Sequence, residues 1–177
     1  AASLAIVDKS VLANPNFTKQ LVDAVKTLKV GEAWQLSTTI GPIIKPAEGP
    51  LARALETLEP GEAWLVKPEK IVGSDRLWRP GVKIGVKSRS WSHLNEWFGP
   101  VLGIIAADNF REAIRIQNET EFGLTAGLQS LDESECEYWI ENIQAGNLYI
   151  NRGTTGAIVK RQPLDRKSTR LNSSHEW

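Results

Sequence analysis

The tightest constraint on the fold is an alternation of strand and helix signals between Val101 and Ile150. Val101–Ala107 is an apolar run bounded by Gly99-Pro100 and Asp108-Asn109, the pattern of a strand central to a sheet. Asn109 with Glu112 three residues on resembles a capping box, and Phe110, Ala113, Ile114 and Gln117 continue one helical face. Phe122-Gly123-Leu124 closes that helix, and 126–130 is a small strand. Asp132 with Glu135 opens a second helix with Cys136, Trp139, Ile140 and Ile143 on its apolar face. Gly146 caps it, and Leu148-Tyr149-Ile150 is the next strand. This spacing predicts an α/β fold, a right-handed layer on a largely parallel sheet.

Upstream, Ser3-Leu4-Ala5-Ile6-Val7 reads as a strand. Asn14-Pro15 reads as an N-cap with proline at the first helical position, and Phe17, Leu21, Ala24, Val25 and Leu28 recur at helical spacing until Gly31. A second helix begins at Gly49-Pro50, carries Leu51, Ala54, Leu55 and Leu58 on one face, and ends at Pro60-Gly61. Ala63-Trp64-Leu65-Val66 reads as strand. Between 67 and 92, where Gly, Pro, Lys and Arg are scattered, only short strands are expected, around Leu77 and over 82–86.

Composition narrows the function. With 177 residues, 41% of them hydrophobic and 24% charged, the chain can bury a core. The 21 Lys and Arg balance 21 Asp and Glu, so there is no basic stripe and no nucleic-acid partner is expected. No apolar run approaches the roughly 18 residues that mark a membrane span, so no membrane partner is expected either. A single cysteine excludes an internal disulfide framework and agrees with a reducing, cytoplasmic compartment. No Met is present, even at position 1, from which the chain is expected to start inside a longer reading frame.

The chemistry concentrates at Asn95-Glu96-Trp97-Phe98-Gly99-Pro100-Val101. A carboxylate on such a turn can accept two hydrogen bonds from a vicinal diol such as a ribose, and an aromatic two residues on can wall a planar ring. The plainer alternative is a strand-entry turn with a solvated Glu and a core Phe. The run from Glu96 to Val101 resembles the Glu-x-Phe-Gly-Pro signature of the NAD(P)-dependent aldehyde dehydrogenase superfamily. Four further segments carry the resemblance over about 1–163: Leu36-Ser37-Thr38-Thr39-Ile40-Gly41-Pro42-Ile43-Ile44, Glu121-Phe122-Gly123-Leu124-Thr125-Ala126-Gly127-Leu128, Gly146-Asn147-Leu148-Tyr149-Ile150-Asn151-Arg152, and Thr155-Gly156-Ala157-Ile158-Val159-Lys160-Arg161-Gln162-Pro163. Together they are similar to the C-terminal part of the bacterial branch acting on L-glutamate gamma-semialdehyde in proline catabolism.

The resemblance implies an aldehyde dehydrogenase catalytic-domain fragment over 1–164, NAD as cofactor, an amino-acid semialdehyde as small-molecule substrate and a homo-oligomeric parent. It implies that Glu96 binds the hydroxyls of the nicotinamide ribose and that Phe98 packs against the nicotinamide end. Gly156 and Ala157 match the loop that anchors the substrate's α-carboxylate through a nest of backbone N–H groups, their plain alternative being a strand-end turn. The aromatic that should follow Gln162-Pro163 is replaced by Leu164, so its role does not carry over. The family works through a Cys thiolate and a Glu-activated water, and its nucleophile motif runs into the equivalent of Ala2-Ser3-Leu4. The chain is therefore expected to begin just after the catalytic Cys, to hold no catalytic residue and to be inert alone. Cys136, on an apolar helix face, reads as structural. His93 has no companions at ligand spacing, so no metal is expected. The residues 165–175 have almost no apolar content and resemble a translated sequencing adapter, with Glu176 and Trp177 read as barcode, so 165–177 are expected to be a non-native disordered tail. Two rivals stand: another aldehyde dehydrogenase, for example one acting on succinate semialdehyde, which the Gly156-Ala157 loop argues against, and a non-catalytic homologue kept as a binding or assembly module.

Overall fold

In the computed structural model residues 2–155 are described; the Gly156-Ala157 loop, the boundary after Leu164 and the tail over 165–177 lie outside them. The chain divides into two compact units, Ser3–Asp108 and a second that runs from Asn109 onward.

In the first unit Asp8 and Asn14 start helices by accepting from the amides of Ser10 and Asn16, at 2.8 and 2.9 Å. The elements in order are β1 (Leu4–Asp8), the single turn α1 (Lys9–Leu12), α2 (Pro15–Thr27), α3 (Gly49–Glu56), β2 (Ala63–Val66), β3 (Glu69–Lys70), β4 (Trp78–Arg79), β5 (Gly81–Ile84), the single turn α4 (Trp91–Leu94) and β6 (Val101–Ala107). Four strands form one sheet in the order β1-β6-β5-β2. β6 is the central strand the sequence predicts, parallel to β1 on one side and to β5 on the other. β2 closes the edge antiparallel to β5, and β3 pairs only with β4. The face predicted for α2 (Phe17, Leu21, Val25 and Leu28) is half-buried, and Ala24 is exposed. α3 stops before Leu58: the backbone turns extended at Thr57, whose carbonyl accepts a hydrogen bond from the Lys83 ammonium at 2.7 Å. α1 and α4 were invisible to periodicity because a single turn has no period.

The second unit contains α5 (Phe110–Asn118), β7 (Thr125–Leu128), α6 (Glu133–Asn142) and β8 (Asn147–Ile150). Asn109 Oδ1 accepts from the Glu112 amide at 2.9 Å, which is one half of the predicted capping box. The Glu112 carboxylate reaches forward to Arg115 at 3.2 Å. Ile114, Ala126, Trp139, Ile143 and Ala145 form the core. Cys136 lies partly buried on α6, its Sγ 3.9 Å from the Ser130 carbonyl oxygen.

All five elements of the 101–150 alternation exist, and the pairings they make are parallel as expected: β6 with β1 and β5 in the first unit, and β7 with β8 in the second.

Asp132 gives a pH signature. The Ser134 hydroxyl first, then the amides of Ser134 and Glu135, hold its carboxyl below the ordinary aspartate range. Its capping contribution is therefore complete above the unfolded value of about 3.9 and disappears as pH falls through the lower folded value. The stability difference between wild type and Asp132→Ala, measured by denaturant titration, should be constant near neutrality and close at lower pH.

Candidate functional site

The Glu96-Trp97-Phe98 turn leaves α4 from a braced start. Ser90 Oγ accepts from the His93 amide at 3.3 Å, and Asn95 Nδ2 donates to the Trp91 carbonyl at 2.9 Å. His93 is buried, and its Nδ1 accepts from the Arg89 amide at 2.8 Å, which fixes the loop where Arg89 takes a φ of 61°. No group of three or more His, Cys, Asp or Glu able to hold a metal occurs among the described residues.

The centre of the turn points inward and its flanks point out. Trp97 is 2% exposed and packs with Ala54, Leu55, Trp78 and Val101. Glu96 is exposed, and Phe98 is 77% exposed. The core Phe of the plainer alternative is thus absent, and Trp97 takes that place. Phe98 also has a φ of 49°, a left-handed conformation that costs a side-chain-bearing residue about 1–2 kcal/mol. An exposed aromatic held in such a conformation is the kind of backbone outlier that collects at functional positions. A free carboxylate and an open ring face, set on either side of one buried anchor, can together accept a pair of hydroxyl hydrogens and cover a planar ring.

The anchor belongs to a column of cations and indoles. The Arg53 guanidinium lies 4.3 Å from the Trp91 ring centroid, Trp91 stacks on Trp97 at 6.4 Å with 6° between planes, and Lys83 Nζ sits 5.4 Å from Trp97 and 5.0 Å from Trp64. Lys83 is opposite Trp64 on β2 and opposite Gly103 on β6. Gly103 makes the space: a Cβ there would stand 3.0 Å from Trp97 Cη2 and 2.8 Å from Leu4 Cδ2. The Lys83 ammonium is 3.3 Å from Glu62 Oε2, the two side chains 0% and 1% exposed. Burial pushes the Lys83 pKa down, and Glu62 opposes that shift. Sequence reasoning missed this pair and the column, because their members come from separate helices, strands and loops between Arg53 and Trp97 and share no spacing. The one available signal was a charged residue in the apolar stretch Gly81-Val82-Lys83-Ile84.

The aldehyde dehydrogenase family model matches residues 1–164. The chain belongs to the aldehyde dehydrogenase family. Within that family it is 34% identical over 167 residues to a 1-pyrroline-5-carboxylate dehydrogenase of a Geobacillus species, covering 93% of this chain and 32% of the relative. Among solved structures, proline utilization A from Corynebacterium freiburgense superposes with a TM-score of 0.88 at 52% identity, over 95% of this chain and 17% of that one. A 1-pyrroline-5-carboxylate dehydrogenase from Thermus with bound NAD superposes with a TM-score of 0.80 at 28% identity, over 95% of this chain and 33% of that one. The chain thus spans about a third of the length of the curated dehydrogenases it matches. No helix among the described residues is long and apolar enough to cross a membrane.

Proposed function

We propose that the chain is part of an NAD-dependent dehydrogenase that oxidises L-glutamate gamma-semialdehyde, the open form of 1-pyrroline-5-carboxylate, to L-glutamate in proline catabolism. The observation that carries this reading is the turn in which exposed Glu96 and exposed, left-handed Phe98 flank buried Trp97. The names of the relatives, 1-pyrroline-5-carboxylate dehydrogenase and proline utilization A, support the substrate class.

The donor set suits NAD: a carboxylate for the ribose diol and an open aromatic face for the nicotinamide end. When bound, that cofactor accepts the hydride. Glu96 orients the nicotinamide ribose and Phe98 limits where the ring can lie, so the chain's own residues contribute positioning. Gly156 and Ala157, outside the described residues, are assigned the substrate's α-carboxylate. No described residue is assigned as nucleophile: Cys136 lies partly buried on α6.

The test is NADH formation by the full-length dehydrogenase that contains this chain, with glutamate semialdehyde as substrate and succinate semialdehyde as control. Clear preference for the amino-acid substrate is expected. Equal or reversed preference would remove the role given to the Gly156-Ala157 loop. Activity on neither would favour a binding or assembly homologue.

A further inference from the structure

Lys83 is the one buried charge of the described sheet whose position stability does not explain. A fully enclosed ammonium is rare unless paired, and a buried ion pair is often no more stabilising than apolar residues of the same shape. What the pair specifies is therefore more informative than what it stabilises. Lys83 Nζ is held at two points, by the Thr57 carbonyl at 2.7 Å and Glu62 Oε2 at 3.3 Å, and Glu62 Oε2 is itself fixed by the Glu59 amide at 2.9 Å. The cation so fixed lies between the rings of Trp64 and Trp97.

Trp97 depends on those contacts. Its Nε1 is buried with no hydrogen-bond partner among the described residues, so its polar end does not set its orientation. The ring is set by what lies around it: the apolar cluster of Ala54, Leu55, Trp78 and Val101, the Trp91 stack, the Lys83 ammonium and the space at Gly103. In so closely packed a core a shift of the indole is passed in part to its own backbone, whose neighbours are Glu96 and the strained Phe98.

We infer that Lys83, with Glu62 as its counter-charge, is a positioning residue that acts through the Trp97 ring to hold Glu96 and Phe98 in their cofactor-binding geometry. The inference rests on the proposed function, and it assigns Lys83 an effect on NAD binding rather than on the chemical step.

The experiment uses the full-length dehydrogenase and two variants, Lys83→Met and the double variant Lys83→Met/Glu62→Leu. The single change strands the Glu62 carboxylate and can fail to fold; the double change removes both charges and is expected to keep the fold. NAD affinity is read by titration, and kcat and both KM values are read from NADH formation. The double variant should bind NAD roughly 10- to 100-fold more weakly, the size of effect that follows small misplacement of binding groups. KM for NAD should rise in step, while kcat at saturating NAD and KM for the semialdehyde stay within about twofold of wild type. A purely structural role would lower the melting temperature and leave the KM for NAD where it was. Wild-type NAD affinity in a folded double variant therefore overturns the inference alone. Wild-type protein that binds no NAD overturns the proposed function, and the inference with it.

Discussion

Glu96→Ala, made in the full-length dehydrogenase, is expected to raise the KM for NAD by at least roughly 10- to 100-fold, because even one hydrogen bond to a charged group is worth about 1.5–3 kcal/mol and 1.4 kcal/mol is a factor of ten. Stability hardly moves, since an exposed side chain outside the core changes it by about 0.5 kcal/mol or less. Phe98→Gly gives the sharper contrast. It removes the ring and relieves a left-handed strain of about 1–2 kcal/mol, so the protein should be as stable as wild type or more so while binding NAD less well. Paired denaturant melts and NAD titrations read both effects. Loss of stability in Phe98→Gly with unchanged NAD affinity would mean that the turn is structural and the proposed cofactor site lies elsewhere.

Gly85→Ala should have the largest effect on folding, about 2–5 kcal/mol. Two costs add at this position, which follows β5 directly. The backbone holds a φ of 77°, where a side chain costs about 1–2 kcal/mol. An added Cβ would also stand 2.3 Å from the carbonyl oxygen of Gly61, a backbone atom that cannot rotate away, and overpacking of this kind costs about 1–3 kcal/mol. The comparison is Gly73→Ala, with a similar φ of 85° but open space around it, which should cost only the conformational part. Denaturation midpoints of the two variants separate the terms. Similar losses in both would show that the β2–β5 end can yield and that the close approach at Gly61 is not rigid.

The turn at Glu96-Trp97-Phe98 and the two helices that follow β6 were legible because their determinants are local. A carboxylate two residues before an aromatic at a Gly-Pro turn can be read directly, and so can Asn14, Asn109 and Asp132 ahead of their helices, where each side chain bonds an amide two or three residues away. The strand Val101–Ala107 was legible because a strand with a parallel neighbour on either side reads as an unbroken apolar run, here buried at five of its seven positions. Membership of the family could be read from the same kind of short segment.

What the sequence determined by itself was thus where elements begin, what they are made of, and that a carboxylate and an aromatic share one turn. The tertiary structure decided which strands pair: β6 takes β1 and β5 as its neighbours, and β7 takes β8. It also decided which way the turn faces: Trp97 in, Phe98 out and left-handed, with Lys83 and Glu62 buried beneath. Caps and periodicities act over a few residues, so one window of chain contains their cause. Edge occupancy, ring stacking and the burial of a paired charge depend on groups that only the folded chain brings within a few ångströms of one another.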